Sequence, residues 1–199
     1  MKMKNNFRSL VRNFHQDESG VIAIELLLVV PILVWALLST LVYFDAFKAQ
    51  SISTRMSMTL ADMFSRETDV DWTFINGAYD LLDALSHSAS APDLRVTVYS
   101  YDEANDQYSR EWSRNKGSYY SNHTNATLRA ESDRLPILAD GDRALLVETH
   151  TEYSAPFSIG IGPFLQTDLD DFTFDTFTTI RPRYTESVCF VKNNGDLLC

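Results

Sequence analysis

The chain has 199 residues, a formal net charge of −10 and 45% hydrophobic residues. Nucleic-acid surfaces carry basic patches that neutralise phosphates, so the acidic balance argues against a nucleic-acid partner. After a long apolar run near the N-terminus, about 150 residues remain, which is close to the usual size of one domain. The sequence therefore predicts a single domain attached to a membrane anchor.

A basic leader of 20 residues precedes the apolar run, and the segment from Leu26 to Phe44 contains no charged residue. About 20 apolar residues let a helix cross the hydrocarbon core, and the apolar segment of a secretory signal is shorter. We therefore predict a retained transmembrane helix over residues 21–44. Because basic residues stay on the cytoplasmic side, residues 1–20 are predicted to be cytoplasmic and residues 45–199 periplasmic. The basic residues of the leader are Lys2, Lys4, Arg8 and Arg12.

Two residues of the apolar run are unusual for a membrane helix. Glu25 places a carboxylate at the edge of the span, which is costly unless a partner uses it. The alternative is that the Glu25 side chain merely reaches the membrane interface from the helix end. Pro31 falls inside the span, where such residues are tolerated and often introduce a kink. Pro31 could be a harmless membrane proline or could have a function, and the sequence favours neither interpretation.

Two further helical segments are predicted after the span. A second helix is expected between Trp72 and Leu85, with Asp69 or Asp71 as its N-cap, and residues 86–92 are expected to form a loop. Between the span and this second helix, an apolar stripe of residues at helical spacing predicts an amphipathic helix that continues the membrane helix outward. The members of this stripe are Ile52, Met56, Leu60, Met63 and Phe64.

Alternating apolar and polar residues then predict an antiparallel sheet. In the last strand Phe177 falls out of phase with Phe172 and Phe174, which indicates a bulge. Residues 116–132 are polar and irregular and are predicted to form a loop. Helices followed by strands predict an α+β fold, in which the sheet covers the exported half of the first helix. The expected strands span residues 94–101, 108–113, 145–153 and 172–183.

The only two cysteines, Cys189 and Cys199, lie near the C-terminus and flank the pair Asn194-Gly195. An Asn-Gly pair between short apolar runs predicts a hairpin with a two-residue turn. Such a hairpin would bring the two cysteines close to facing positions. In a periplasmic domain a disulfide is chemically reasonable, so we predict a C-terminal disulfide clamp. The alternative is a pair of free thiols.

Residues with catalytic or metal-binding chemistry show no recognisable motif. No nucleophile elbow and no phosphate-binding glycine loop occur, so we predict a protein that is not an enzyme and needs no cofactor. His150 is expected on the exposed face of its strand, beside Glu148 and Glu152. The histidines lack the spacing of metal ligands. They are His15, His87, His123 and His150.

One acidic stretch contains residues that could supply oxygen ligands to calcium. It lacks the spacing and the central glycine of an EF-hand loop, so a solvated acidic loop is the favoured interpretation. The residues are Asp168, Asp170, Asp171 and Asp175.

The N-terminal pattern resembles a known family. The leader ends in Asp17-Glu18-Ser19-Gly20, Val21–Glu25 follows, and the apolar run contains Pro31. Over about residues 15–45 this is similar to the TadE/TadF-like minor pseudopilins of the tight-adherence (Flp) pilus assembly system. Looser similarity extends to Leu60–Met63, Arg66–Thr68, Trp112–Arg114 and Gly141–Asp142 before Leu146–Thr149.

The resemblance implies a pilin-like protein of the bacterial inner membrane, cut between Gly20 and Val21 by a prepilin peptidase. Glu25 would then be the fifth residue of the mature chain. In pilins the corresponding carboxylate is thought to pair with the N-terminal amine of a neighbouring subunit. Since the chain is longer than a major pilin, the resemblance implies a minor component. Its partners would be the peptidase, other pilins or minor pseudopilins, and the inner-membrane assembly platform.

Two other classes of function remain as alternatives. An unprocessed, membrane-anchored periplasmic binding or sensor domain would keep its leader and use a pocket as its site. A membrane-anchored hydrolase is disfavoured by the missing catalytic motifs. Processing at Gly20 separates the pseudopilin interpretation from both.

Overall fold

A computed structural model of the chain describes residues 20–86, 88–155 and 171–199. The chain divides into two compact units, Met1–Tyr43 and Phe44–Cys199. The long helix α1, Val21–Ser65, begins in the first unit and continues into the second.

Helix α1 is apolar on all sides within the first unit. Ile22 and Leu27 are 75% and 71% exposed, as expected for side chains that face lipid. Within the described residues this is the one helix long and apolar enough to span a membrane, and its most apolar 18-residue stretch has a mean hydropathy of 2.5. Pro31 lies inside the helix, which continues past it without a break. A single N-terminal membrane anchor is therefore consistent with the structure.

The second unit has the predicted α+β architecture. Its main antiparallel sheet has four strands. Helix α2 covers Trp72–Ser86, and its N-cap is Asp71, whose Oδ1 accepts a hydrogen bond from the Phe74 N–H at 2.8 Å. The four strands are β2 (Asp93–Asp102), β3 (Gln107–Lys116), β4 (Arg143–Ser154) and β5 (Asp171–Ile180). Their order in the sheet is β3-β2-β4-β5. All four predicted strands are confirmed, with β5 ending before Pro182.

One face of the sheet packs against α1, as predicted, and also against α2. The buried residues of α1 include Leu60 and Phe64, which share a core with Val96 and Val147 of the sheet. Two hydroxyl pairs also join helix and sheet: Ser53 to Thr151 at 3.1 Å and Ser57 to Thr178 at 2.8 Å. The apolar stripe of the exported helix is therefore a packing face. The buried face of the helix is centred closer to Ser53 and Ser57 than the predicted stripe, and these small side chains let the helix approach the strands closely.

The opposite face of the sheet is also covered, and the sequence did not predict this layer. Residues 117–142, between β3 and β4, lie over it and form a second core that includes Leu128, Leu135 and Leu138. This segment, which we call the β3–β4 cover, contains helix α3 (Asn125–Ala130) and a 3₁₀ turn (Ser132–Arg134). The prediction of a loop over residues 116–132 was thus wrong in part. A reciprocal capping box between Thr124 and Thr127 starts α3.

The predicted bulge at Phe177 is also wrong. Strands β4 and β5 pair without a shift, with Phe177 opposite Glu148. Phe177 is out of phase with the preceding phenylalanines because it packs against the second core. The irregularity lies instead between Val98 and Tyr99 of β2.

The C-terminal part of the chain forms a small second sheet with a short strand that precedes α2. Strand β1 (Asp69–Val70) pairs in parallel with β6 (Cys189–Val191), which pairs antiparallel with β7 (Leu197–Leu198). Val188 and Phe190 of this segment are buried in the core below α1 and α2. Strand β6 and the residue before it are therefore part of the core.

Candidate functional site

The predicted processing and assembly residues lie at the start of α1. The helix begins at Val21, the residue that would become the N-terminus after cleavage, and Gly20 directly precedes it. The Glu25 side chain is exposed one turn further on. Within residues 20–86, 88–155 and 171–199, no hydrogen bond or ion pair joins Glu25 to another side chain. Its carboxylate is thus available to a group from outside these residues.

The C-terminal disulfide is confirmed. Cys189 and Cys199 are bonded, with Cα atoms 4.4 Å apart. The hairpin between them differs from the predicted one. Lys192 N–H donates to the Asp196 carbonyl at 2.8 Å, and Gly195, at φ +84°, donates to the Lys192 carbonyl at 2.9 Å. The loop therefore has three residues, because glycine occupies the left-handed position that follows the turn.

Phe190, which follows Cys189 of the disulfide, belongs to an aromatic cluster. The Phe190 ring lies 5.7 Å from that of Trp72 and 5.6 Å from that of Trp112, and the Arg114 guanidinium lies 4.2 Å above it. Trp112 Nε1 donates a hydrogen bond to the Val188 carbonyl at 2.8 Å. These contacts join β3 and α2 to the C-terminal segment that the disulfide closes.

A buried ionic cluster lies between the sheet and the β3–β4 cover. Arg95 of β2 donates two hydrogen bonds of 2.5 Å to Glu148 of β4, and Arg95 Nη1 also donates to the Ser121 carbonyl at 3.1 Å. His123 Nε2 lies 3.0 Å from Glu148 Oε2. The side chains of Arg95, His123 and Glu148 are 10%, 1% and 4% exposed. The cluster is therefore shielded from solvent and joins the cover to the sheet.

His123 is positioned by local hydrogen bonds in the cover. Its N–H donates to Ser113 Oγ at 3.0 Å, and its Nδ1 lies 3.1 Å from Thr127 Oγ1. Burial acts to raise the pKa of Glu148, but the hydrogen bonds from His123 and Arg95 and their positive charge outweigh it. The pKa of Glu148 is therefore below its usual range, and the carboxylate is ionised at neutral pH.

The same cluster has donor atoms that could suit a metal ion. Ligand atoms of His123, Glu131 and Glu148 all lie within 4.8 Å of one another. Both Glu148 oxygens, however, already accept hydrogen bonds from Arg95. A divalent cation would have to displace or repel this guanidinium. The arrangement therefore fits an ion-pair network better than a metal centre.

His150 is buried, which corrects the expectation of an exposed position. It is 5% exposed, its ring stacks on that of Tyr119 at 3.7 Å, and its Nδ1 lies 2.6 Å from Asp175 Oδ1. The β3–β4 cover lies over this part of β4, so Glu148 and His150 are buried beneath it. Asp175 also accepts a hydrogen bond from the Tyr120 hydroxyl at 3.3 Å.

The calcium hypothesis concerned four aspartates, of which the structure covers two. Asp175 is engaged by His150 and Tyr120, and Asp171 pairs with Ser154 at the start of β5. Asp168 and Asp170 lie outside the described residues, as do His15 and His87 of the histidine survey.

A cavity of about 360 Å³ lies beside the first turns of α1 in the second unit, where Asp45, Lys48 and Tyr153 are among its lining residues. The Tyr153 hydroxyl donates a hydrogen bond to Asp45 Oδ2 at 2.9 Å. Burial, followed by this hydrogen bond and the Asp45 charge, raises the pKa of Tyr153 to about 12. The tyrosine therefore stays protonated at neutral pH and holds the carboxylate in place.

No protein-family model, curated protein or solved structure matches the chain.

Proposed function

We propose that the protein is a minor pseudopilin, similar to the TadE/TadF-like components of tight-adherence pilus systems. In this proposal it acts by subunit assembly and not by catalysis. The single observation that carries the proposal is the position of Glu25: an exposed carboxylate on the fifth residue of a helix that begins at Val21, ahead of an apolar run without charge.

The proposed mechanism begins with cleavage between Gly20 and Val21 by a prepilin peptidase. Cleavage removes the basic leader and creates an ammonium group on Val21, one helical turn from Glu25. A carboxylate in an apolar surrounding gains most from a charged hydrogen-bond donor. In an assembly, Glu25 would accept hydrogen bonds from the Val21 ammonium of a neighbouring subunit. That pair would select the correct axial register, because other registers leave both charges without a partner.

The exported domain supplies the second element of the proposal. Disulfides persist in oxidising compartments, so the Cys189–Cys199 bond supports a periplasmic location for residues 45–199. The excess of basic residues before the span supports a cytoplasmic leader. Other pilins or minor pseudopilins and the inner-membrane assembly platform are the proposed partners.

Substitution of Glu25 tests the assembly role. We expect Glu25→Ala to be cleaved normally but to be lost from sheared pili or from crosslinked subunit complexes. Glu25→Gln keeps the shape but not the charge and should show the same loss. Glu186→Gln, which neutralises an exposed carboxylate of the second unit, is the matched control. Normal incorporation of both Glu25 variants would refute the proposed role.

A further inference from the structure

The cavity beside Asp45 carries an inference that is independent of the pilus assignment. Asp45 and Lys48 are the first charged residues after the apolar run, and both lie on helix α1. At a rise of about 1.5 Å per residue, they lie roughly 2–6 Å along the helix from Phe44. The headgroup layer of a bilayer is about 5–8 Å thick on each side. When α1 spans a membrane, both charges therefore lie at the level of lipid headgroups.

The two charges in the cavity are of opposite sign and differ in how they are held. Asp45 is fixed by the hydroxyl of Tyr153, which is 8% exposed and thus anchored in the domain. Lys48 is exposed and forms no ion pair or hydrogen bond with any residue that the structure describes. The cavity therefore presents a positioned carboxylate beside an ammonium that is available to an anion.

Two further features suit the cavity to a ligand with polar and apolar parts. Ser86 also lines the cavity, is 6% exposed, and its Oγ has no hydrogen-bond partner among the described residues. The aromatic side chains of Phe44 and Phe47 are 69% and 66% exposed on the same stretch of helix. Exposed aromatic residues at this level contact the boundary between headgroups and acyl chains. A volume of about 360 Å³ is within the range of small-ligand sites.

We propose that this cavity binds the headgroup of a phosphatidylethanolamine molecule of the membrane. Asp45 accepts hydrogen bonds from the primary ammonium of the lipid, and Lys48 pairs with its phosphate. The inference requires the membrane anchor only. It predicts an order of preference, because phosphatidylcholine has a quaternary ammonium that cannot donate hydrogen bonds and phosphatidylglycerol has no ammonium at all.

Native mass spectrometry of the full-length protein tests the proposal. The protein is released from nanodiscs that contain phosphatidylethanolamine, phosphatidylcholine and phosphatidylglycerol in equal amounts with identical acyl chains. We expect phosphatidylethanolamine to be retained about tenfold more than either other lipid, the effect of one hydrogen bond to a charged group. Equal retention of the three lipids would overturn the proposal.

Variants locate the binding to the cavity. Asp45→Asn keeps an acceptor for Tyr153 but removes the charge, and Lys48→Gln removes the ammonium. Asp45→Asn should abolish the preference for phosphatidylethanolamine, and Lys48→Gln should lower the retention of all three lipids because each carries the phosphate. Lys192→Gln in the C-terminal hairpin should change neither. An unchanged preference in Asp45→Asn, or unchanged lipid retention in Lys48→Gln, would contradict the assignment of this site.

A soluble headgroup distinguishes the lipid from a free compound. Glycerophosphoethanolamine has the same charged groups without acyl chains. We expect it to displace the lipid only at millimolar concentration, because it lacks contacts with Phe44 and Phe47. Displacement at the affinity of the lipid itself would assign the cavity to a soluble phosphoethanolamine and overturn the lipid proposal.

Discussion

Arg95 and Glu148 occupy directly paired positions of β2 and β4 and are joined by two hydrogen bonds of 2.5 Å between guanidinium and carboxylate. The pair lies on the sheet face that the β3–β4 cover encloses, where Ser121 and His123 of the cover bind it. A buried charge without a partner is far more costly than an apolar side chain of similar size. The pair therefore connects the stability of the cover to that of the sheet.

Removal of one member of this pair should destabilise the protein strongly. We expect Arg95→Met to lower the free energy of unfolding by about 3–5 kcal/mol, because Glu148 is left buried with only His123. The double variant Arg95→Met/Glu148→Leu should cost less than the sum of the single changes. Urea unfolding of the full chain in detergent, followed by tryptophan fluorescence, measures these values. Arg66→Met, which breaks the exposed pair with Asp62, is the control and should cost at most about 1 kcal/mol. Additive single effects would show that Arg95 and Glu148 are not coupled.

The depressed pKa of Glu148 predicts a loss of stability in acid. Its unfolded pKa is about 4.3 and its folded pKa is lower, so the folded state favours the ionised form. The contribution of Glu148 to stability is complete above about pH 5 and is lost as the pH falls through the folded pKa. The difference in unfolding free energy between wild type and Glu148→Gln should therefore narrow from pH 7 to pH 3. A constant difference across that range would contradict the ionised state of Glu148.

The disulfide clamp should stabilise the domain by restricting the unfolded chain. We expect Cys189→Ser/Cys199→Ser to lower the free energy of unfolding by about 2–3 kcal/mol, as is typical for a short loop. The C-terminal strand should then dissociate from Trp112 at lower urea concentration. A reducing agent should shift the wild-type transition to that of the double variant and leave the variant unchanged. Equal stability of the variant and the oxidised wild type would rule out the proposed role of the clamp.

Substitution of two glycines by alanine should have opposite effects on the stability of the protein. Gly117 has φ +113°, and a Cβ built there would clash with Asp93 Oδ1, which accepts a hydrogen bond from the Tyr119 N–H. Gly117→Ala should therefore destabilise the cover by about 1–3 kcal/mol. Gly77 lies inside α2 with nothing near its missing Cβ, so Gly77→Ala should stabilise the protein by about 0.5–1 kcal/mol. Thermal unfolding compares both with wild type, and a stabilised Gly117→Ala would contradict the local geometry.

The sequence predicts the side of the sheet that faces α1 well, because period-two alternation in Leu94–Tyr101 and helical spacing around Leu60 are strong local signals. It also predicts the disulfide, since the cysteines flank a glycine suited to a tight turn. The sequence does not predict the β3–β4 cover. Helix α3 has six residues and depends on a capping box and one buried leucine, Leu128, so no periodic pattern reveals it.

The buried ionic cluster could not be predicted for the same reason. Glu148 and His150 lie in a polar stretch of β4, where a threonine separates them, and this pattern is typical of a solvent-facing strand. The face is buried because Tyr119, Tyr120 and His123 come from a separate segment that folds back over it. One basic and one acidic residue on neighbouring strands, Arg95 and Glu148, could have indicated an ion pair. Whether they face each other depends on the register of the two strands, which the tertiary fold determines.

The most direct test of the account is the intact mass and N-terminal sequence of the membrane protein, produced with and without the prepilin peptidase. The account predicts a mature chain that begins at Val21 only when the peptidase is present. A full-length chain that still begins at Met1 under both conditions would contradict the pseudopilin assignment and favour an unprocessed, membrane-anchored binding domain.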